Sequence, residues 1–161
     1  MKEFYQLADH SRVWLYQAER NLSEEEAVFI KLAGEKFIEQ WTSHGSQMDA
    51  AMEILNQRII VVAIDEQSGH ASGCGIDKSV HFMKELSASM KLDFFQRTVV
   101  VYQNESGWTE APLNQFWAMR KALIVNDDTM VMDTTVRTLG ELRASMIVPF
   151  RDSWHAEMWG R

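Results

Sequence analysis

Residues 58–65 have the sequence RIIVVAID, and residues 69–79 have the sequence GHASGCGIDKS. The first segment is short and continuously apolar, which is typical of a strand that is buried on both faces. The second is a glycine-rich turn that leads into an apolar pattern with helical spacing. Together they predict a central strand over residues 59–64, followed by a turn that presents backbone N–H groups at the start of a helix.

The residues before this strand predict a strand, a helix and a second strand. Residues 12–17 are rich in aromatic and β-branched side chains, as strands are. Ser23 and Glu26 form an S-x-x-E capping box, which predicts the start of a helix. We expect that helix to end with Gly45 as its C-cap. Residues 48–55 alternate loosely between apolar and polar side chains, as a half-buried strand would.

The element order predicts a fold class. Asn56 and Gln57 form a short connection between the strand over residues 48–55 and the central strand, so the two should be antiparallel. A second helix follows the glycine-rich turn, and residues 98–102 predict a fourth strand. The order is therefore βαββαβ, the split βαβ or ferredoxin-like arrangement of the α+β class, with two helices on one face of a four-stranded sheet.

The rest of the chain is predicted to extend this core within a single domain. We place the core at about residues 10–103 and the C-terminal extension at about residues 104–161. A third helix is expected to begin near Pro112 and to bury four apolar side chains: Leu113, Phe116, Trp117 and Leu123. Residues 130–136 are expected to form a strand, and residues 138–146 are compatible with either a short helix or a loop and a strand.

The composition argues against several classes of partner. The chain has 161 residues, of which 46% are hydrophobic and 24% charged, which suits one domain with a hydrophobic core. Its net charge is -7, and Lys and Arg do not cluster as they do in proteins that bind nucleic acid or anionic membranes. We therefore predict neither a nucleic-acid partner nor a membrane partner.

The expected location is the cytoplasm. A single cysteine cannot form an internal disulfide, and the amino-terminal residues lack the long apolar segment of a signal peptide. No apolar run approaches the length of a membrane-spanning helix.

Two segments resemble nucleotide-binding motifs, but their details argue against a P-loop. Residues 59–66 are similar to a Walker B strand, and residues 73–79 are similar to a Walker A loop. A P-loop needs a glycine directly before its lysine so that the backbone can wrap the phosphates. Here the spacing is one residue short, and Asp77 precedes Lys78, where its carboxylate would repel a phosphate. The two motifs also occur in reversed order, so ATP hydrolysis is not predicted.

Cys74 is the only cysteine of the chain, and it lies between Gly73 and Gly75. A thiolate near a helix start is stabilised by the helix dipole and by backbone N–H groups. Lys78, one turn further along, would add to this effect, and Asp77 would oppose it unless it caps the helix. Three roles remain open for this turn: a buried structural cysteine, a site for an anion or another ligand, or a thiol nucleophile.

A nucleophile and a metal site would each need partners from elsewhere in the chain. A cysteine nucleophile requires a base, for which His44 and His155 are the candidates. His70 lies four residues before Cys74 but outside the helix, so the two do not share a helix face, and no C-x-x-C or H-x-x-x-H pattern is present. We predict no metal site and no cofactor.

Two tryptophan–histidine pairs are further candidates. Trp41 lies close to His44, and Trp154 directly precedes His155. Such pairs could line a pocket and orient a planar ligand. The alternative is a helix end packed by tryptophan beside a histidine whose polar tip contacts solvent.

Four segments spread along the chain carry a family resemblance: VWLYQ at residues 13–17, QWTSHG at 40–45, ASGCGIDKS at 71–79 and DSWH at 152–155. They are similar to segments of a small bacterial family of uncharacterised proteins whose members are often labelled ABC transporter ATPase. The resemblance implies a single-domain relative over nearly the whole chain. It implies no activity, since neither a Walker A motif nor an LSGGQ-type signature supports the label. It draws attention to His44, Cys74, Asp77 and His155.

The first functional hypothesis is a non-enzymatic module that binds a small anionic ligand at the turn over residues 69–79. Six residues are its predicted contacts: Ser72, Gly73, Gly75, Lys78, Trp41 and Trp154. Such a module could also form a homodimer through its sheet.

The second hypothesis is a thiol-dependent hydrolase or transferase. In it Cys74 attacks the substrate, and either His44 or His155 acts as the base. Asp77 orients the base, and the amides of the two glycines that flank the cysteine act as an oxyanion hole. The first hypothesis ranks higher because it requires fewer residues to converge.

Overall fold

The structure, a computed structural model, describes residues 3–68 and 73–160. In this part of the chain there are nine strands and five α-helices: β1 (Arg12–Gln17), α1 (Glu24–Gln40), β2 (Thr42–Ser43), β3 (Ser46–Gln47), β4 (Ala50–Leu55), β5 (Ile59–Ile64), α2 (Gly73–Met90), β6 (Val99–Asn104), β7 (Gly107–Pro112), α3 (Leu113–Lys121), β8 (Met130–Met132), α4 (Leu139–Ser145), β9 (Ile147–Pro149) and α5 (Trp154–Trp159). Its larger sheets are antiparallel, and the fold belongs to the predicted α+β class.

The chain divides into two compact units. The first unit comprises Met1–Gln96 and Arg137–Gly140, and the second comprises Arg97–Val136 and Glu141–Arg161. That residues 1–161 form a single domain stays a prediction.

The first unit is built on a three-stranded sheet in the order β1-β5-β4. The central strand β5 is buried along its whole length, as its continuous apolar sequence predicts. The side chains of Ile60, Val62 and Ile64 join a core to which α1 and α2 also contribute. Helix α1 begins at the predicted capping box, in which the Ser23 side chain accepts a hydrogen bond from the Glu26 backbone N–H.

The order β1-β5-β4 is the order of the first three strands of a split βαβ sheet, but the fourth predicted strand does not join them. β6 lies instead in the sheet of the second unit, between β7 and β8. In the described residues the chain after α2 makes two isolated bridges to β1, from Phe95 to Gln17 and from Thr138 to Arg12. The ferredoxin-like prediction is therefore corrected to a three-stranded βαββα unit.

Local pairing explains this difference. β6 forms a hairpin with β7, a strand that the sequence analysis missed, and the two pair over six residues each. Closing a loop of two residues costs much less chain entropy than pairing with distant β1. Gly107 and Pro112 bound β7 and weaken its strand pattern, because both residue types are depleted in strands.

A second correction concerns the end of α1. The helix ends at Gln40, and the hairpin β2–β3 follows it. His44 (φ 51°) and Gly45 (φ 80°) form the two-residue turn of this hairpin, where both residues adopt left-handed backbone conformations. Gly45 therefore closes a hairpin and is not a helix C-cap.

The second unit contains a four-stranded sheet in the order β7-β6-β8-β9. Phe116 of α3 is fully buried, and it packs with Val100, Val131 and Phe150. The predicted burial of Leu123 is wrong: this side chain is 76% exposed, because α3 ends at Lys121 and the chain turns there.

The other predictions for the second unit were partly right. The strand expected over residues 130–136 ends at Met132. Within residues 138–146, Leu139–Ser145 form the short helix α4, and β9 follows it. None of the helices in the described residues is both long enough and apolar enough to cross a membrane.

Candidate functional site

The end of α1 and the start of α2 are joined by a buried hydrogen bond. Trp41 is only 1% exposed, and its indole Nε1–H donates to the carbonyl oxygen of Gly75 at 2.9 Å. Gly75 is buried, whereas Gly73 at the first position of the helix is exposed. Trp41 therefore fixes the backbone of the first turn of α2 from the protein interior.

The hairpin β2–β3 holds a lysine on the same part of α2. Lys78 is exposed, and its Nζ donates to the backbone oxygen of Thr42 at 3.3 Å. An ammonium group has three N–H donors, so this bond leaves others to face solvent or a ligand. The next residue, Ser79, is buried, and its hydroxyl donates a hydrogen bond to the Ile76 carbonyl at 2.7 Å.

A surface depression of about 540 Å³ lies along the next turns of α2. The described residues that line it all belong to α2: Asp77, Lys78, Val80, His81 and Lys84. Among them are two lysines, one histidine and one aspartate. His81 also lies 3.1 Å from Glu85, an i,i+4 pair on the exposed helix surface. The depression is basic on balance, and it begins at the fifth residue of the helix.

The sequence analysis found Asp77 and Lys78 but missed His81 and Lys84. Charged residues on an exposed helix normally belong to a solvated face, so residue type alone does not indicate a binding site there. The spacing is more informative, because residues 77, 81 and 84 recur at intervals of four and three and therefore lie on one helix face. The opposite face of α2 is buried through Met83 and Leu86.

Several predicted site residues have only a partial description. Ser72 and residues 69–71 lie outside the described residues, and so does the side chain of Cys74. The backbone of Cys74 lies in the first turn of α2. Asp77 and His44 are both exposed, His44 at the tip of the β2–β3 hairpin.

The other tryptophan–histidine pair belongs to the second unit, in α5. His155 is 2% exposed, and its ring centroid lies 4.3 Å from that of Trp154. Its Nδ1 lies 3.3 Å from the hydroxyl oxygen of Ser153, and that hydroxyl donates to the backbone oxygen of Phe150 at 2.7 Å. Since the hydroxyl proton is already used, Nδ1–H is the natural donor to Ser153.

Burial controls the protonation of His155. Desolvation lowers the pKa of its imidazole from 6.5 to about 4, and the negative charge of Asp133 opposes this shift. The Asp133 carboxylate accepts hydrogen bonds from the backbone N–H groups of Trp154 and Thr135, at 2.9 and 3.0 Å. His155 is therefore neutral near pH 7 and forms part of a packed cluster.

The structure thus groups the predicted residues into two sets. Trp41, Gly73, Gly75, Asp77 and Lys78 surround the first turns of α2. Trp154 and His155 lie in the second unit, and their assignment to the same site stays a prediction. Among residues 3–68 and 73–160, no group of three or more His, Cys, Asp or Glu side chains could hold a metal ion.

Comparison of the chain with protein-family models, with curated proteins and with solved structures finds no match. The function is therefore inferred from the chemistry of these residues.

Proposed function

We propose that the first unit binds a small anionic ligand on the amino-terminal half of α2. The observation that supports this proposal is the depression of about 540 Å³, whose lining includes Lys78, His81, Lys84 and Asp77. The depression is open to solvent, so a ligand would contact it on one side. A ligand there would contact two permanent positive charges and one negative charge.

The attraction comes from the lysine side chains and not from the helix dipole. The depression begins at the fifth of the 18 residues of α2, and the partial positive charge of a helix start falls off within the first turn. Lys78 is also held in place by the Thr42 carbonyl, which reduces the side-chain entropy lost when a ligand binds.

The Asp77 carboxylate limits which anionic ligands can bind in the depression. A carboxylate repels an anionic group but accepts hydrogen bonds from hydroxyl or amino groups. The ligand that fits therefore carries a phosphate or carboxylate for the lysines and a hydrogen-bond donor for Asp77. A hydroxylated or aminated phosphate or carboxylate compound has this combination.

The proposal includes a cytoplasmic location. The chain has one cysteine and thus no internal disulfide, as is usual for proteins of a reducing compartment. Small phosphorylated and carboxylated compounds would be available to the site there.

An NMR titration tests the proposal. Inorganic phosphate, pyrophosphate and citrate are added to ¹⁵N-labelled protein at constant ionic strength, and amide shifts are followed. We expect saturable shifts in residues 73–84. Lys84→Gln should weaken the affinity about threefold, as the loss of one exposed charge contact would.

Two further variants test the direction of the charge effect on affinity and provide a control. Asp77→Asn should strengthen the binding of inorganic phosphate, because it removes a negative charge beside the ligand. Lys121→Gln removes the same type of charge from the end of α3 in the second unit and should leave the affinity unchanged. If none of the three anions shifts α2, or if Lys121→Gln weakens binding as much as Lys84→Gln, the proposal is wrong.

A further inference from the structure

Helix α3 leaves one end of the sheet of the second unit uncovered. Tyr102 of β6 packs on this helix, since its ring centroid lies 5.5 Å from that of Phe116 and its hydroxyl lies 3.6 Å from the Met119 sulfur. Asn104 is two residues further along β6, so its side chain lies on the same face of the sheet. The helix ends at Lys121, and a groove of about 370 Å³ lies beside the end of β6.

Two segments of the second unit form the walls of this groove. The β6–β7 hairpin contributes Asn104, Glu105 and Ser106, and the loop between α3 and β8 contributes Ile124 and Thr129. Among the described residues that line it, Glu105 carries the only charge. The groove therefore differs in chemistry from the depression on α2, whose lining includes two lysines.

Hydrogen bonds to the backbone orient two donors in this lining. The Oδ1 atom of Asn104 accepts from the backbone N–H of Ser106 at 2.8 Å, so the NH₂ group of the same amide is left to donate. The hydroxyl oxygen of Thr129 accepts from the backbone N–H of Asn126 at 3.0 Å, which leaves its proton to donate. Because both side chains are already held, little side-chain entropy is lost when they bind a ligand.

Ile124 supplies an apolar surface whose position is also fixed by the backbone. The N–H groups of Ile124 and Val125 both donate to the Met119 carbonyl, at 3.0 and 3.3 Å, and Leu123 adopts a left-handed conformation with φ 57°. The chain thus turns sharply at the end of α3, as it does in helix-capping motifs. Ile124 belongs to the lining and is 70% exposed, whereas its neighbour Leu123, 76% exposed, is not part of the described lining.

The oriented donors, the carboxylate and the apolar surface together define a class of ligand. The Glu105 carboxylate repels anions and only accepts hydrogen bonds, whereas the Asn104 NH₂ group and the Thr129 hydroxyl need acceptors. An ammonium or guanidinium group has no acceptor, so a cation would give these donors no partner. A hydroxyl group both donates and accepts. A neutral compound with several hydroxyl groups and a face of C–H groups therefore matches all of these side chains.

We propose that the groove between the β6–β7 hairpin and the α3–β8 loop binds a neutral polyhydroxylated compound, a monosaccharide or a cyclic polyol. Asn104 and Thr129 donate to its hydroxyl oxygens, Glu105 accepts from a hydroxyl group, and Ile124 contacts the C–H face of the ring. The groove is partly open to solvent, so the dissociation constant should lie in the millimolar range. This site belongs to the second unit and does not depend on the anion site of the first.

An NMR titration tests the proposal. Glucose, galactose, mannose and myo-inositol are each added to ¹⁵N-labelled protein, and amide shifts are followed. We expect at least one of these probes to give saturable shifts in residues 103–106 and 124–129. Because the probes are neutral, their dissociation constants should be the same at low and high salt, whereas anion binding on α2 should weaken as the salt concentration rises.

Two pairs of variants locate the site. Ile124→Ala removes apolar surface from the lining and should weaken binding about threefold, whereas Leu123→Ala truncates the adjacent exposed side chain and should leave the affinity unchanged. Asn104→Asp keeps an oxygen for the Ser106 N–H but removes the NH₂ donor, so it should weaken binding about fivefold. Asn114→Asp adds the same charge at the start of α3, away from the groove, and is the matched control.

Three results would overturn the proposal. One is that none of the four probes shifts residues 103–106 or 124–129. Another is that the saturable shifts lie only in other parts of the chain, which would place the binding elsewhere. The third is that Leu123→Ala weakens binding as much as Ile124→Ala does. This last pair changes only exposed side chains, so it decides the question even if Asn104→Asp disturbs the hairpin.

Discussion

Acid should destabilise this protein through one buried histidine, His155. Its pKa is lowered by burial from 6.5 to about 4 in the folded chain. In the unfolded chain the imidazole is solvated and titrates near 6.5. As the pH falls through 6.5, the unfolded state therefore takes up a proton that the folded state does not. The contribution of His155 to the free energy of unfolding is therefore fully present above about pH 7 and is lost as the pH falls towards 4.

The size of this loss follows from the two pKa values. Each unit of difference corresponds to about 1.4 kcal/mol of unfolding free energy. Linkage then gives a loss of about 2 kcal/mol at pH 5 and about 3 kcal/mol at pH 4. A small domain has only about 5–15 kcal/mol of total stability, so this loss is large enough to measure.

The perturbation that isolates this effect is His155→Phe. The phenyl ring keeps the contacts with Trp154 and Phe116, and the Ser153 hydroxyl keeps its bond to the Phe150 carbonyl. Urea unfolding is followed by tryptophan fluorescence at several pH values between 4 and 7. The stability of the original protein relative to the variant should fall by about 3 kcal/mol across this range, while acid effects common to both proteins cancel.

A second histidine provides the control. His81 is exposed on α2 beside Glu85, and His81→Gln should retain the pH dependence of the unchanged protein. If His155→Phe loses as much stability between pH 7 and pH 4 as the unchanged protein does, His155 is not the titrating group and the assignment is refuted.

Two further predictions concern the start of α2. Trp41→Phe should lower the unfolding free energy by about 0.5–1.5 kcal/mol in urea titrations, because it removes the hydrogen bond that the indole donates to the Gly75 carbonyl. Trp14→Phe, at a half-buried strand position, is the comparison and should cost less. The alkylation rate of Cys74 as a function of pH tests the thiol-dependent enzyme hypothesis, which requires a midpoint below the usual thiol pKa of about 8.5. A midpoint at or above the usual value, or no reaction at any pH, would exclude an activated thiol and with it the thiol-dependent enzyme hypothesis.

Local signals allowed much of the secondary structure to be predicted. The capping box at Ser23 places the start of α1, because a side chain and a backbone N–H only three residues apart form it. The apolar run of β5 indicates a strand that is buried throughout. Pro112 similarly marks the start of α3, since its fixed backbone angle suits the position just before a helix.

The candidate site was predictable only where its residues are close in sequence. Gly73, Asp77 and Lys78 stand together in the glycine-rich segment, and their spacing alone singled them out. The bond from Trp41 to Gly75 joins residues 34 positions apart, and no local pattern indicates it. The same holds for Lys78 and the Thr42 carbonyl, 36 positions apart.

The sequence by itself determined the α+β class, the central strand and the glycine-rich start of α2, because each depends on residues within one turn or one strand. Only the tertiary structure decided which sheet β6 joins. Its strand pattern fits either sheet, and the nearby hairpin with β7 costs less chain entropy than a pairing with β1. The tertiary structure also decided that the buried Trp41 side chain bonds the first turn of α2, whereas His81 and Lys84 are exposed on the other side of that helix. Such placements depend on which elements distant in sequence pack together, and the local pattern of any one segment does not indicate this.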